Sequence, residues 1–270
     1  MLTRESFASR FAPRAIFGMV HLKPLPGSPL FAGSVDRVID AALADARAIV
    51  DGGCDGIVFE NFGDRPFFKS GVEAVTIAAM TRIIAEVMRA VRLPFGVNVL
   101  RNDAAAALAI ASATGAAFIR INVHTGVMIT DQGTIEGDAA ATLRLRARLA
   151  PDVAIFADHF VKHALPPPGA DAAQAAKDLR HRGLADAVIV SGAETGAAPG
   201  ADRLLRLREA LPDAPLLLGS GLSDSNAPAF GEADGAIVGT AIKRGADVDA
   251  PVERQRVERI VAAFKRPVVR

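Results

Sequence analysis

The feature that most limits how this chain can fold is an alternation of short apolar runs with segments of helical spacing. Eight apolar runs recur along the 270 residues, and each is continuous rather than alternating apolar with polar residues. Such runs are typical of strands whose two faces are both covered, as in a parallel sheet flanked by helices. The predicted strands are residues 16–22, 56–60, 95–100, 117–124, 153–159, 187–192, 216–221 and 235–240.

The segments between these runs carry apolar residues three and four positions apart, which predicts helices. Ser34, Asp103 and Ser223 stand where helix N-caps are expected. Eight strand–helix units in one chain predict an α/β fold, a (β/α)8 TIM barrel with residues 1–270 as a single domain. A doubly wound sheet is the alternative, although it usually has fewer strands. The predicted helices are residues 35–51, 72–92, 103–113, 138–149, 171–182, 201–210, 223–230 and 252–264.

Composition excludes several kinds of partner. The chain has 31 Lys and Arg against 30 Asp and Glu, so its net charge of +1 is too small to indicate a nucleic-acid partner. The single cysteine, Cys54, excludes a disulfide framework and a cysteine-rich metal site. Trp and Tyr are absent, so we predict a ligand held by hydrogen bonds and charge rather than by aromatic stacking.

Neither a signal peptide nor a membrane-spanning segment is predicted. The longest uncharged stretch, residues 104–119, is interrupted by Gly115 and is shorter than the roughly 20 residues that cross a bilayer. We therefore expect a cytoplasmic protein and a homo-oligomer, with peripheral membrane association left open.

Polar residues gather at the ends of six predicted strands, where TIM barrels carry their chemistry. Carboxylate, amine and imidazole groups in this position point to acid–base catalysis. The predicted catalytic residues are Asp158, Lys162, His21 and Glu60. The predicted substrate-binding residues are Lys23, Asn98, Arg120, Asn122, His124, Ser191 and Gly192.

Two simpler interpretations of these residues stay open. Arg120 and Asn122 share one face of a strand and could fill a polar layer of the barrel, with Glu60 as counter-ion. A divalent cation held by Glu60, Asp158 and a histidine is also conceivable; no other metal site and no cofactor is predicted.

The last two strands end differently, in small residues. Gly219-Ser220-Gly221 and Gly239-Thr240 would let backbone amides approach a ligand, and each precedes a predicted helix. Loops after the seventh and eighth strands are the usual phosphate site of TIM barrels. We therefore predict a barrel of the phosphate-binding type, whereas the alternative is that these glycines merely form tight turns.

These strand ends lie within longer motifs, and the chain resembles the BtpA/SgcQ family. Residues 18–29 (GMVHLKPLPGSP) match the family's opening signature, which is long enough to be specific. The likeness extends over about residues 15–265. Further matching segments are 60–64 (ENFGD), 96–103 (GVNVLRND), 118–123 (FIRINV), 130–137 (TDQGTIEG), 157–158 with 161–163, 191–192 with 195–196, 219–221, and 237–240 with Lys243.

The resemblance implies a barrel protein but does not assign it one particular reaction. The family is named after a factor for photosystem I accumulation in cyanobacteria, whereas other members look like enzymes encoded among sugar-phosphate genes. The resemblance also covers the loop between Val123 and Asp138, which is long enough to act as a lid.

Three functions are compatible with these residues and with the family resemblance. The first is an enzyme of isomerase or lyase type acting on a small phosphorylated metabolite, such as a sugar phosphate or a phosphorylated nucleoside. The second is a non-catalytic assembly factor for a membrane complex of the photosystem I type. The third is a barrel that binds flavin mononucleotide through the same two glycine loops.

Overall fold

The predicted TIM barrel is confirmed. The computed structural model describes residues 1–192, 195–196 and 198–266. In the barrel, eight parallel strands close in the order β1-β11-β10-β9-β7-β4-β3-β2. They are β1 (Ala15–His21), β2 (Gly56–Glu60), β3 (Phe95–Asn98), β4 (Phe118–Ile121), β7 (Ala154–His159), β9 (Ala187–Val190), β10 (Leu216–Leu218) and β11 (Gly235–Val238).

The helices pack around this barrel, and two of the three predicted N-caps, Ser34 and Asp103, begin helices, whereas Ser223 does not. Ser34 accepts a hydrogen bond from the Arg37 amide, and Asp103 accepts one from the Ala106 amide. Their side chains thereby satisfy amides that a helix start leaves free. The helices are α1 (Arg4–Arg10), α2 (Val35–Asp51), α3 (Ala74–Ala90), α4 (Ala104–Thr114), α5 (Ala139–Leu149), α6 (Ala172–Lys177), α7 (Ala201–Ala210) and α8 (Arg254–Lys265).

Alternate residues of each barrel strand face the interior. On β1, Phe17 and Met19 belong to the apolar cluster inside the barrel, whereas Ile16 and Val20 belong to the layer between strands and helices. Because the period of a strand is two, the inward row that begins with Phe17 and Met19 continues to His21. The same alternation carries Glu60, Asn98, Arg120 and Asp158 into the barrel above its apolar cluster.

Helix α1, which the sequence patterns did not predict, closes the amino-terminal end of the barrel. Its Phe7 is fully buried and packs on Phe17 and Phe156, with ring centroids 6.4 and 5.9 Å away. Seven residues are too few to show a helical period, so the apolar face of α1 carries no sequence signal.

Two further segments differ from the sequence prediction. The predicted lid, residues 123–138, contains a hairpin of β5 (Val127–Thr130) and β6 (Gly133–Glu136), which β8 (Ala164–Leu165) extends to three strands. The helix predicted over 223–230 is reduced to a 3-10 turn, Ala227–Phe230. Asp, Ser and Asn before that turn compete with helical hydrogen bonding, and Pro228 lacks an amide proton.

The helix predicted after the eighth strand, over residues 252–264, is present as α8. A 3-10 turn, Thr240–Ile242, follows the strand directly, and α8 begins only at Arg254. Across the residues that the structure describes, no helix is both long enough and apolar enough to cross a bilayer.

Candidate active site

A buried ion pair lies at the carboxyl end of the barrel. Arg120 Nε and one of its terminal nitrogens donate to the two oxygens of Asp158, both at 3.0 Å. Both side chains are almost completely buried. The paired, bidentate geometry is the strongest form of a guanidinium–carboxylate contact.

Two neutral side chains complete the surroundings of Asp158. Asn122 Nδ2 donates to Oδ2 at 3.0 Å, and Ser191 Oγ donates to Oδ1 at 3.2 Å. Asn98 Nδ2 in turn donates to Asn122 Oδ1 at 3.2 Å. Asp158 therefore accepts four hydrogen bonds, so its carboxylate is committed to holding Arg120, Asn122 and Ser191 in place.

The predicted phosphate residues lie together at one end of a cavity of about 360 Å³. A methyl group at Gly219 would stand 2.3 Å from Ser191 Oγ, and one at Gly239 would stand 3.0 Å from His21 Cε1. Glycine at both positions therefore lets the two loops approach the ionic cluster. The cavity is also lined by Ser220, Gly221, Thr240, Ser223, Asn226 and Arg256.

Two polar groups at this end of the cavity have no hydrogen-bond partner among the described residues. The Thr240 hydroxyl is buried, and it has no hydrogen-bond partner among the described residues. The Gly221 amide has no acceptor in the described ranges either. A buried polar group without a partner costs free energy unless a ligand or water satisfies it. This part of the cavity can therefore accept an oxyanion.

His21 and Lys162 line the same cavity, and Glu60 lies next to His21 without lining it. Within the described chain, neither the Glu60 carboxylate nor the Lys162 amine makes a hydrogen bond; His21 Nε2 lies 3.8 Å from Glu60 Oε1. Burial, followed by the positive charge of Arg120, lowers the pKa of Lys162. Burial, with the charges of Lys243, Lys162 and Arg120, holds the pKa of His21 well below its usual value.

A second chamber of about 260 Å³ lies on the far side of Lys162. It shares Lys162 and Thr195 with the first cavity, so the two chambers meet there. Glu60 and Asn122 form its polar wall. Six further residues line the chamber and were not among the predicted site residues. They lie in loops, where neither strand nor helix periodicity applies: Phe62, Phe67, Leu100, Arg101, Asp131 and His163.

Some predicted site residues lie elsewhere. The exposed Lys23 donates to the carbonyl oxygen of Asp249 at 2.6 Å, on the rim of the barrel. The His124 ring is buried, 2.8 Å from the carbonyl oxygen of Gly183, and lines neither chamber. The Gly192 amide donates to Ser220 Oγ at 3.3 Å, beside the loop that follows β10.

The structure does not assemble the conceivable cation site. Among the described residues, no group of three His, Cys, Asp or Glu side chains could hold one metal ion. Both oxygens of Asp158 face Arg120, whose positive charge opposes a cation at that position.

Acid should destabilise the fold through His159, which lies beside the site on β7. Burial, with the charge of Arg203, lowers its pKa from 6.5 to about 4. The unfolded chain therefore binds a proton at this histidine more readily than the folded chain does. The stability that the neutral His159 contributes is complete above pH 6.5 and is lost as the pH falls towards about 4. We expect a loss of the order of 3 kcal/mol over that interval, measured by urea unfolding.

The control for this measurement is His159→Gln. Glutamine can still donate to the Ala172 carbonyl oxygen, which now lies 2.8 Å from His159 Nε2, but it does not titrate. A free energy of unfolding that falls equally steeply with acid in both proteins would contradict the assignment to His159.

Comparison with known proteins agrees with the family motifs. Residues 12–266 match the model of the BtpA family. The chain is 44% identical to the photosystem I biogenesis protein BtpA of Synechocystis sp., over 92% of this chain and 87% of that protein. It is 33% identical to the putative sgc region protein SgcQ of Escherichia coli, over 92% and 93% of the two chains.

Solved structures share the fold at much lower identity. Thiamine phosphate pyrophosphorylase from Pyrococcus furiosus superposes with a TM-score of 0.59 at 13% identity, covering 93% of this chain and 96% of its own. Phosphoribosyl anthranilate isomerase from Thermococcus kodakaraensis gives 0.56 at 14% identity, covering 94% and 100%. At such low identity these likenesses show the fold alone. The family model and relatives above 30% identity cover nearly the whole chain, and the protein is therefore a member of the BtpA family.

Proposed function

We propose that this BtpA-family barrel is an enzyme of isomerase or lyase type acting on a small phosphorylated metabolite. One observation supports the proposal: a glycine-lined cavity meets a second chamber at Lys162, and neither the Lys162 amine nor the Glu60 carboxylate of that chamber makes a hydrogen bond among the described residues. A scaffold would have no use for such groups, because burying them without partners is unfavourable.

The phosphate would bind between the loops after β10 and β11. The Thr240 hydroxyl and the Gly221 amide would donate to its oxygens, and Ser220 lies between them on the cavity wall. Arg256 lines the same cavity and adds positive charge, although its Nε already donates to the Ala241 carbonyl oxygen. This is the position in which TIM barrels commonly bind phosphate.

The reacting part of the substrate would then lie beside Lys162 and Glu60. A lowered pKa leaves a larger fraction of Lys162 as the free amine, which can take a proton or attack a carbonyl carbon. Glu60, buried at the same place, can accept a proton from substrate carbon or oxygen. His21 remains neutral, so its ring can hold a substrate oxygen or pass a proton between these groups.

Arg120 and the residues around it would orient the substrate rather than exchange protons. Asp158, predicted as an acid–base residue, is proposed instead to fix the Arg120 guanidinium where it faces the cavity. Asn98 and Asn122 extend the same network, and Asn98 Oδ1 is still without a partner in the described chain. Such preorganised donors stabilise charge that develops on a substrate oxygen.

The Thr240→Val substitution tests the phosphate site. It removes the hydroxyl while keeping the shape, so we expect roughly 10- to 100-fold weaker binding of ribose 5-phosphate in calorimetric titrations. Thr134→Val, on the exposed strand β6, is the matched control and should leave the affinity unchanged. Equal affinities in wild type and Thr240→Val would contradict a phosphate at this position.

An assembly function is the second candidate, because the relative in Synechocystis is named a photosystem I biogenesis protein. It predicts that the site residues are dispensable. If Asp158→Asn and Glu60→Gln both leave the cellular phenotype of the gene intact, the enzymatic proposal is wrong.

A further inference from the structure

The second chamber has an aromatic wall that the proposed chemistry does not use. Phe62 and Phe67 line it, with ring centroids 6.4 Å apart and planes tilted by 54°. Phe62 stacks on His21 at 4.5 Å, and the Arg65 guanidinium lies 5.2 Å from the Phe62 ring centre. Phe67, by contrast, has no other ring or cation contact among the described residues. Its ring is only half-buried.

Other residues that line this chamber are polar and charged. The Glu60 carboxylate is buried and accepts no hydrogen bond from the described residues, so it can accept from an N–H or O–H group of a ligand. Arg101 is also buried, and the one hydrogen bond of its side chain in the described chain runs to the carbonyl oxygen of Lys162, at 2.7 Å. The remaining nitrogens of its guanidinium can donate to a ligand oxygen or ring nitrogen.

A flat ring with hydrogen-bonding edges matches these two walls. One face would stack on Phe67, which is favourable for any π-system, while the edge would meet Glu60 and Arg101. A sugar ring has no π-face and would meet the aromatic wall only through its C–H groups. The chamber meets the phosphate cavity at Lys162 and Thr195, so one ligand can reach both.

We propose that the substrate is a phosphorylated nucleoside, whose phosphate binds at Thr240 and whose nitrogen heterocycle binds between Phe67 and Glu60. This rests on the proposed phosphate site and selects one of the two substrate classes that the sequence left open. The sugar would then lie against Lys162, at the junction of the chambers. The absence of Trp and Tyr predicts a ligand held without aromatic stacking, whereas in this proposal phenylalanine supplies the stacking.

The test compares ligands that share a ribose phosphate and differ in whether they carry a nucleobase. Ribose 5-phosphate, AMP and GMP are titrated calorimetrically into the wild-type protein and into Phe67→Leu, which keeps an apolar side chain but removes the π-face. We expect AMP or GMP to bind the wild type roughly tenfold or more tightly than ribose 5-phosphate. In Phe67→Leu this preference should fall to about threefold or less, with the ribose 5-phosphate affinity unchanged.

A matched control and two distinct failures make the test decisive. Phe68→Leu changes the next residue, which is exposed and does not line the chamber, and should keep the wild-type preference. Thermal unfolding of all variants verifies that each is folded. Equal affinity for nucleotide and ribose 5-phosphate, or a preference that survives in Phe67→Leu, overturns the nucleoside inference alone. Ribose 5-phosphate binding that is absent, or that ignores Thr240→Val, overturns the phosphate site itself.

Discussion

Arg120→Met is expected to lower the free energy of unfolding by about 3–5 kcal/mol, because it leaves the Asp158 carboxylate buried without its counter-ion. Asp158 would keep only the hydrogen bonds from Asn122 and Ser191, which are neutral donors. Those donors offset part of the cost of burying a charge but cannot replace the guanidinium. Chemical denaturation followed by circular dichroism measures the loss.

A double variant separates charge burial from lost packing. In Arg120→Met with Asp158→Asn, neither residue is charged, so most of the stability should return although Arg120 is still absent. Arg82→Met is the surface control: its partners Asp36 and Glu86 are exposed, and we expect no measurable change. A loss in Arg120→Met no larger than that in Arg82→Met would mean that water reaches Asp158 and solvates it.

Lys162 is expected to be labelled by ribose 5-phosphate and cyanoborohydride in preference to the exposed lysines, by roughly tenfold or more at neutral pH. The amine attacks the open-chain aldehyde carbon and water leaves; cyanoborohydride then reduces the imine to a stable secondary amine. The lowered pKa leaves a larger fraction of Lys162 as the free amine, and a phosphate bound nearby would hold the aldehyde beside it. Peptide mass spectrometry locates the modified lysine.

Competition and pH provide the controls for this labelling. Inorganic phosphate should suppress the modification of Lys162, because it occupies the pocket that holds the sugar phosphate, and Lys162→Met should abolish the adduct. Lys177→Met, at the end of α6, should leave it unchanged. The preference should shrink as the pH approaches the ordinary lysine pKa of about 10.4, where every lysine becomes a free amine. Labelling spread evenly over the lysines, or insensitive to phosphate, would contradict the role proposed for Lys162.

The strands and their inward polar ends were predictable because both follow from a period of two along the backbone. His21, Glu60, Asn98, Arg120 and Asp158 each continue an inward row of their own strand. Closure of the barrel then brings the ends of all strands to one rim. The pattern could not show that Asp158 would be paired with Arg120, because the two residues are 38 positions apart.

Two of the predicted site residues that line neither chamber come after the last paired position of a strand. His124 follows the end of β4 and Lys23 follows the end of β1, so neither is held by the barrel's alternation. Phe67 and Arg101 line the second chamber but were not among the predicted site residues, because both come from loops, which have no strand or helix period. The helix expected at residues 223–230 failed because the propensity of its first residues favours a turn.

The sequence by itself determined the eight strands, most of the helices between them and the set of polar groups at the carboxyl ends of the strands. Those properties arise from local periodicity and from the need to cover both faces of each strand. The tertiary structure decided that the strands close into a barrel and which of the polar groups have partners among the described residues. These properties depend on distances between residues far apart in the chain, which is why Asp158 and Arg120 are bound to each other while Lys162 and Thr240 line the first cavity and Glu60 lines the second chamber.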